Sequence, residues 1–365
     1  MLQTLIVYIS LTIVMIISCL PKGNRPASQV SVILAITIYS IFFGLRYGVG
    51  MDYFAYMENY EYPDTITYSE PGFLLILRFL SSLRLPVQYF FGIIAFAQLF
   101  LIYISLKKEK EIYPFLAFSF MGGCVWLAFA NGLRQELAFC LFTYSLKFID
   151  NNQFYLYALT ILLCATLHTS AIILILLYPF LYKKQNWFKN IKWQIVLLIV
   201  ALGVMNINIT SSFFSKIESL FAITNYRYYL SDDYSDLIFN ESRIGVGFFI
   251  NLIIEFFIIS NSNKIKAYYN RPAFHIMYTL FFIGVLWKYI FWGSQLLQRV
   301  NYYFYGFEFI IAAFTLSYFS KRNKPNFIIL SALILLVFVA TMYRMDENTA
   351  RYYFYWQQDL FPTLS

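Results

Sequence analysis

FYLYALTILLCATLHTSAIILILLYPFLY, residues Phe154 to Tyr182, is the stretch whose reading decides the fold. A membrane span needs about 20 apolar residues. This run is therefore either one long, tilted span or two short ones that meet near His168. Charge separates the alternatives, because lysine and arginine collect on the cytoplasmic side of a membrane protein. A single pass would put Lys183, Lys184, Lys264, Lys266, Lys321 and Lys324 on sides that reverse the lysine bias of the first half of the chain. Two short passes preserve it, with His168 at the outer tip of a hairpin.

Outward from that hairpin, 60% hydrophobic and only 13% charged residues exclude a soluble domain. Apolar runs at Leu2–Leu20, Ser28–Leu45, Pro86–Leu106, Tyr113–Ala130, Gly132–Ile149, Ile191–Ile209, Ile244–Ser262, Ala273–Phe291, Tyr303–Ser320 and Phe327–Tyr343 complete about twelve crossings. The expectation is an all-α polytopic integral membrane protein, a single domain over residues 1–365, with both termini outside. Two larger outer loops result, at about 46–84 and 210–243. Within the first, Pro71–Leu83 has a helical pattern too short to cross about 30 Å of hydrocarbon and is expected to lie at the membrane surface.

Lys22, Lys107, Lys108, Lys110 and Lys147 fall on the inner side, which also accounts for the net charge of +8 without nucleic acid as a partner. Arg46, Arg78, Arg84, Arg134, Arg227, Arg243, Arg299, Arg344 and Arg351 fall on the outer side, where the positive-inside rule does not favour them. A guanidinium fork is suited to bidentate recognition of phosphate or carboxylate, so an outward-facing site for a phosphorylated or acidic substrate is expected. Cys19, Cys124, Cys140 and Cys164 lie in apolar runs without zinc-ligand spacing and read as small packing residues. No metal or cofactor is indicated.

Three segments concentrate the chemistry. In Arg46-Tyr-Gly-Val-Gly-Met-Asp-Tyr, Gly48 and Gly50 permit tight turns that fold Arg46 and Asp52 toward one point. An interfacial aromatic belt explains Tyr53, Tyr56 and Tyr60 but not the Arg-Gly-Gly-Asp spacing. Glu70 precedes Pro71, a residue suited to the first helical position, and either serves the helix dipole or the site. In Asn131-Gly-Leu-Arg-Gln-Glu, Arg134 and Gln135 open an inward span at the membrane edge, a depth at which ionisable groups are paired or functional. His168 is a hydrogen-bonded packing residue or a catalyst. His275, after Pro272, reads as structural.

Taken in order, Arg46-Tyr-Gly-Val-Gly-Met-Asp-Tyr-Phe-Ala-Tyr, Ser69-Glu-Pro-Gly-Phe, Leu133-Arg-Gln-Glu-Leu-Ala, Leu167-His-Thr-Ser-Ala and Leu297-Gln-Arg-Val-Asn-Tyr-Tyr-Phe make the chain resemble the EpsG family of glycan polymerases, relatives in role of the Wzy O-antigen polymerases. The resemblance implies a GT-C-like glycosyltransferase of the bacterial inner membrane, active on its outer face. Such an enzyme joins undecaprenyl-diphosphate-linked oligosaccharides into O-antigen, capsule or exopolysaccharide, alongside membrane lipid, with a chain-length regulator and a flippase as possible partners. On that reading Asp52, His168 and Glu70, in that order, are candidate bases. Arg46, Arg134 and Arg299 bind diphosphate, and Tyr53, Gln135, Arg227 and Arg243 contact substrate, without a metal. A lipid-linked glycan flippase or transporter and a glycan ligase are the alternatives.

Overall fold

The computed structural model describes residues 1–21, 23, 26–66, 70–205, 244–346 and 349–360. Almost all regular structure among them is helical. Four helices are long and apolar enough to cross a membrane: Leu2–Cys19 (α1), Val87–Ser105 (α5), Pro272–Ile290 and Lys324–Tyr343. The number rises to six if each of two bent pairs, Lys110–Gly122 with Val125–Asn131 and Val246–Ser260 with Ser262–Tyr268, forms one span. Twelve crossings were expected, and length is what separates the two counts. Helices Gln29–Gly44 (α2), Phe154–Leu167 (α9) and Ile191–Val204 (α11) have 16, 14 and 14 residues, which at 1.5 Å per residue is about 21 to 24 Å, short of the ~30 Å hydrocarbon layer.

Within the single domain expected from sequence, packing groups the chain into two compact units, Met1–Lys184 with Ala312–Ser365, and Gln185–Ile311. In the first, α2 packs on α5, α5 on Leu133–Asp150 (α8), and α8 on α9. The deciding stretch is a hairpin. Helix α9 stops at His168, whose backbone is extended, and the chain returns as a 3-10 helix, Thr169–Leu177, followed by the short helix Tyr178–Leu181 (α10). Tyr157 donates its hydroxyl to the Leu174 carbonyl, Phe154 meets Tyr178 at 4.9 Å between ring centroids, and Lys184 Nζ reaches the Asp150 carbonyl at 2.6 Å. Both legs therefore start and end at the same level, with His168 at the tip. All four cysteines are free and buried.

The chain's last described segment returns to the beginning. Residues Arg46–Tyr47 (β1) pair antiparallel with Tyr353–Phe354 (β2), Arg46 opposite Phe354. Tyr8 donates to the Ala350 carbonyl, Tyr352 to the Phe42 carbonyl, and Gln3 to Gln357 at 2.6 Å. The start of α1, the end of α2 and the tail are thus tied together at one end of this unit. Helix α5 then carries the chain about 28 Å to the turn of Lys107–Glu111, where Glu111 pairs with Lys321.

The second unit is built on a buried polar network. Lys288 donates to Glu255 and to the Tyr305 hydroxyl, both at 2.8 Å, and Tyr289 donates to the other Glu255 oxygen. These groups cross-link Val246–Ser260 (α12), Pro272–Ile290 (α14) and Gln295–Tyr305 (α15). Between α12 and α14 lies Ser262–Tyr268 (α13), where Lys266 donates to the Phe188 carbonyl. His275 contacts the Asn270 side chain at 3.2 Å.

Candidate functional site

Three residues far apart in sequence converge at the arginine end of the first unit. Arg134 Nη1 lies 2.6 Å from Glu70 Oε2, and His168 Nδ1 lies 3.1 Å from Glu70 Oε1. One carboxylate therefore joins an arginine and an imidazole, each through a different oxygen. Their side chains are 25%, 16% and 8% exposed for Arg134, His168 and Glu70, so the cluster is sheltered but reachable.

Each member is delivered by a local chain feature. Glu70 is the N-cap of Pro71–Ser82 (α4), with Pro71 at the first helical position, but its side chain makes no capping bond. The carboxylate turns away from its own helix to the two cations. Helix α4 buries Phe73, Leu77 and Leu80, one stripe at helical spacing. Its first turn packs unusually close to the hairpin tip: a Cβ on Gly72 would stand 2.2 Å from Thr166 Oγ1. A glycine inside a helix costs roughly 1 kcal/mol relative to alanine, and here the close approach is what sets Glu70 beside His168. Arg134 lies in the first turn of α8, after the break at Gly132.

Burial by itself would raise the Glu70 carboxyl, but the hydrogen bond from His168 and the charge of Arg134 outweigh it and leave the group below the usual carboxylate range. Glu70 is then ionised and can only accept hydrogen bonds. The proton between Glu70 and His168 must therefore sit on Nδ1. In the neutral ring this leaves Nε2 as a free acceptor, the form a general base requires.

The model of the EpsG family matches residues 29–357, nearly the whole chain. The chain belongs to the EpsG family. This is a family of Wzy-like polysaccharide polymerases, and with the apolar helices it makes the chain a multi-pass membrane protein. No curated protein and no solved structure matches it.

The other site residues expected of this EpsG chain are distributed differently. Arg46, expected on the diphosphate, is buried: its guanidinium donates to the carbonyls of Phe43 (2.7 Å), Val49 (3.2 Å) and Ala130 (3.2 Å) and lies 4.5 Å from the Phe91 ring centroid. Gly48 and Gly50 do take left-handed backbones, φ 68° and 96°, and the loop they shape wraps the arginine inward. Tyr53, expected at the substrate, is fully buried and stacked on Phe91 at 4.8 Å, so its ring is part of the packing. Asp52 is exposed at the N-cap of Tyr53–Glu61 (α3), and its backbone N–H donates to Asn131 Oδ1 at 2.9 Å, two turns of chain motif locked together beside Arg134. Gln135 is buried in the first turn of α8. Arg299 is exposed on α15 in the second unit, a helix capped by Ser294. Arg227 and Arg243 lie outside the described residues. Among the described residues no group of three potential metal ligands occurs.

The roles of Asn131, Gly72 and Thr166 escaped the sequence reading. Only Gly72 left a signal, a helix-breaking residue immediately after the helix-starting Pro71.

Arg46→Met is expected to unfold the first unit at markedly lower temperature. It strands three buried carbonyls, each costing about 1–3 kcal/mol without its donor, so the combined loss should exceed ~3 kcal/mol. Thermal unfolding of the purified variant in detergent measures this. If it unfolds like wild type and yet makes no polymer, Arg46 belongs to the substrate and not to the scaffold.

Proposed function

We propose that this EpsG chain polymerises undecaprenyl-diphosphate-linked oligosaccharide repeat units on the outer face of the bacterial inner membrane, without a metal, at the Glu70–Arg134–His168 cluster. The observation that carries the reading is the single carboxylate shared by an arginine fork and an imidazole. In this mechanism the acceptor hydroxyl oxygen attacks the anomeric carbon of the donor glycan. His168 Nε2 takes the hydroxyl proton, the bond from that carbon to the diphosphate breaks, and undecaprenyl diphosphate leaves with the electron pair. Arg134 supports the negative charge that grows on the departing diphosphate. Glu70 holds the His168 ring in the reactive tautomer and stabilises the imidazolium that forms, the orienting role a carboxylate plays in catalytic triads.

Sequence alone ranked Asp52 first as base; the reading here moves that role to His168 because its ring is oriented and its second nitrogen is available. Arg46 becomes a scaffold residue. A GT-C-like helical architecture with about twelve crossings, N- and C-termini outside, is part of the same reading.

The test is ladder formation by the protein in proteoliposomes supplied with lipid-linked repeat units. Glu70→Gln keeps the shape and removes the charge, so the His168 tautomer is no longer imposed, and polymer synthesis is expected to fall about 10²-fold. A glutamine variant with full activity would remove the cluster from the chemistry. In wild type, Glu70 is held below its ordinary range, so the ion pairs persist as pH falls toward that range and are lost as pH drops through the lowered value. The Glu70–Arg134 ion pair should therefore break only below the ordinary carboxylate range.

A further inference from the structure

Joining two lipid-linked glycans requires places for two lipid diphosphates, and the cluster at Glu70 provides one. The far end of the same helix offers the other. Helix α4 has 12 residues, about 18 Å from Glu70 to the turn that follows it. That turn carries Arg84, exposed on a left-handed backbone (φ 54°).

Beside it opens a polar cavity of about 380 Å³, lined by residues that include Tyr60, Glu61, Ser81 and Arg84. Pro86 and Tyr355 line this cavity and also an apolar groove of about 660 Å³ between α2 and α5. Thr37, Ile41, Ile93 and Phe96 line the groove further along. Its floor is a close helix contact: a Cβ on Gly44 would lie 2.6 Å from the Gln88 carbonyl, and one on Gly92 3.1 Å from the Ser40 carbonyl. At its head, Gln88 contributes a buried amide nitrogen, Nε2, that donates to nothing.

We propose that this groove and the cavity at its head hold the second lipid diphosphate, that of the acceptor, with the isoprenoid tail between α2 and α5 and the diphosphate against Arg84 and Gln88. The assignment rests on the polymerase reading. Charge and shape select the occupant. A guanidinium fork and an unsatisfied N–H are donors for a diphosphate, and the Glu61 carboxylate in the same cavity suits the hydroxyls of the attached sugar. A single groove between two helices takes one chain, whereas a phospholipid brings two. Helix α4 then acts as a spacer. The attacking hydroxyl must reach His168 about 18 Å from its own diphosphate, so a lipid carrying one sugar is too short to be an acceptor.

The experiment is photo-cross-linking of a benzophenone-bearing farnesyl diphosphate to the full-length protein in phosphatidylcholine nanodiscs, followed by peptide mapping. Label is expected on Gln29–Gly44 and Val87–Ser105, displaced by undecaprenyl diphosphate and not by phosphatidylglycerol. Ile41→Trp, which fills the groove, and Arg84→Gln, an exposed change that leaves the packing alone, should each lower labelling about tenfold. Arg134→Lys should leave it unchanged. Equal displacement by phosphatidylglycerol would show a general lipid crevice and overturn the proposal, as would full labelling of Arg84→Gln. Loss of label in Arg134→Lys would merge the groove with the first site and overturn it as well. No turnover is needed for this readout. Failure of the polymerase reading would appear separately, as repeat units trapped on the inner leaflet of Arg134→Lys cells while the groove still labels.

Discussion

Arg134→Lys is expected to abolish long polymer at unchanged membrane abundance, with single lipid-linked repeat units accumulating on the outer leaflet. Lysine retains the positive charge and can still approach Glu70, so the fold and the ion pair are disturbed little. What it loses is the planar fork. Arg134 holds Glu70 Oε2 at 2.6 Å through a planar, delocalised guanidinium, whereas an ammonium is a compact point charge without that fixed double donor. Removing one preorganised donor from a developing oxyanion costs about 10²–10³ in rate, which in a processive ladder assay reads as loss of every band above the shortest. Polymer of normal length would move Arg134 to anchoring α8. Repeat units trapped on the inner leaflet would instead identify a flippase.

His168→Ala should reduce the rate of chain extension by about 10²–10⁴, the range for loss of a positioned general base. Folding should survive, because the hairpin is closed by other contacts: Tyr157 to the Leu174 carbonyl and Phe154 against Tyr178. The double variant with Glu70→Gln sharpens the assignment. If Glu70 acts by orienting His168, the two losses will not add, since residues working as one unit are strongly non-additive. Additive losses would mean that Glu70 and His168 serve separate steps, and an active His168→Ala would return the base role to Asp52.

Much of this was legible in the residues. The lysine bias favoured a hairpin over one long span at Phe154–Tyr182, and the structure folds it so, because two antiparallel legs keep both polar ends at one level. The short amphipathic helix after Glu70 was legible from Pro71 and its apolar spacing. Glu70, Arg134 and His168 were all among the candidates. Their grouping was not, and Arg46 was misplaced. A buried arginine satisfied by three carbonyls and a ring looks, in sequence, the same as one waiting for a phosphate.

By itself, then, the sequence determined the class of the protein, its family and the set of polar residues worth considering. The class follows from local composition and periodicity, which act between near neighbours along the chain, and the family from short motifs met in order. The tertiary structure alone decided which residues share a carboxylate. Glu70 meets partners 64 and 98 positions away, and it does so because α8 packs on α9 while Gly72 lets α4 touch Thr166. Ångström-scale backbone approach is a property of packed surfaces, and no spacing along the chain encodes it.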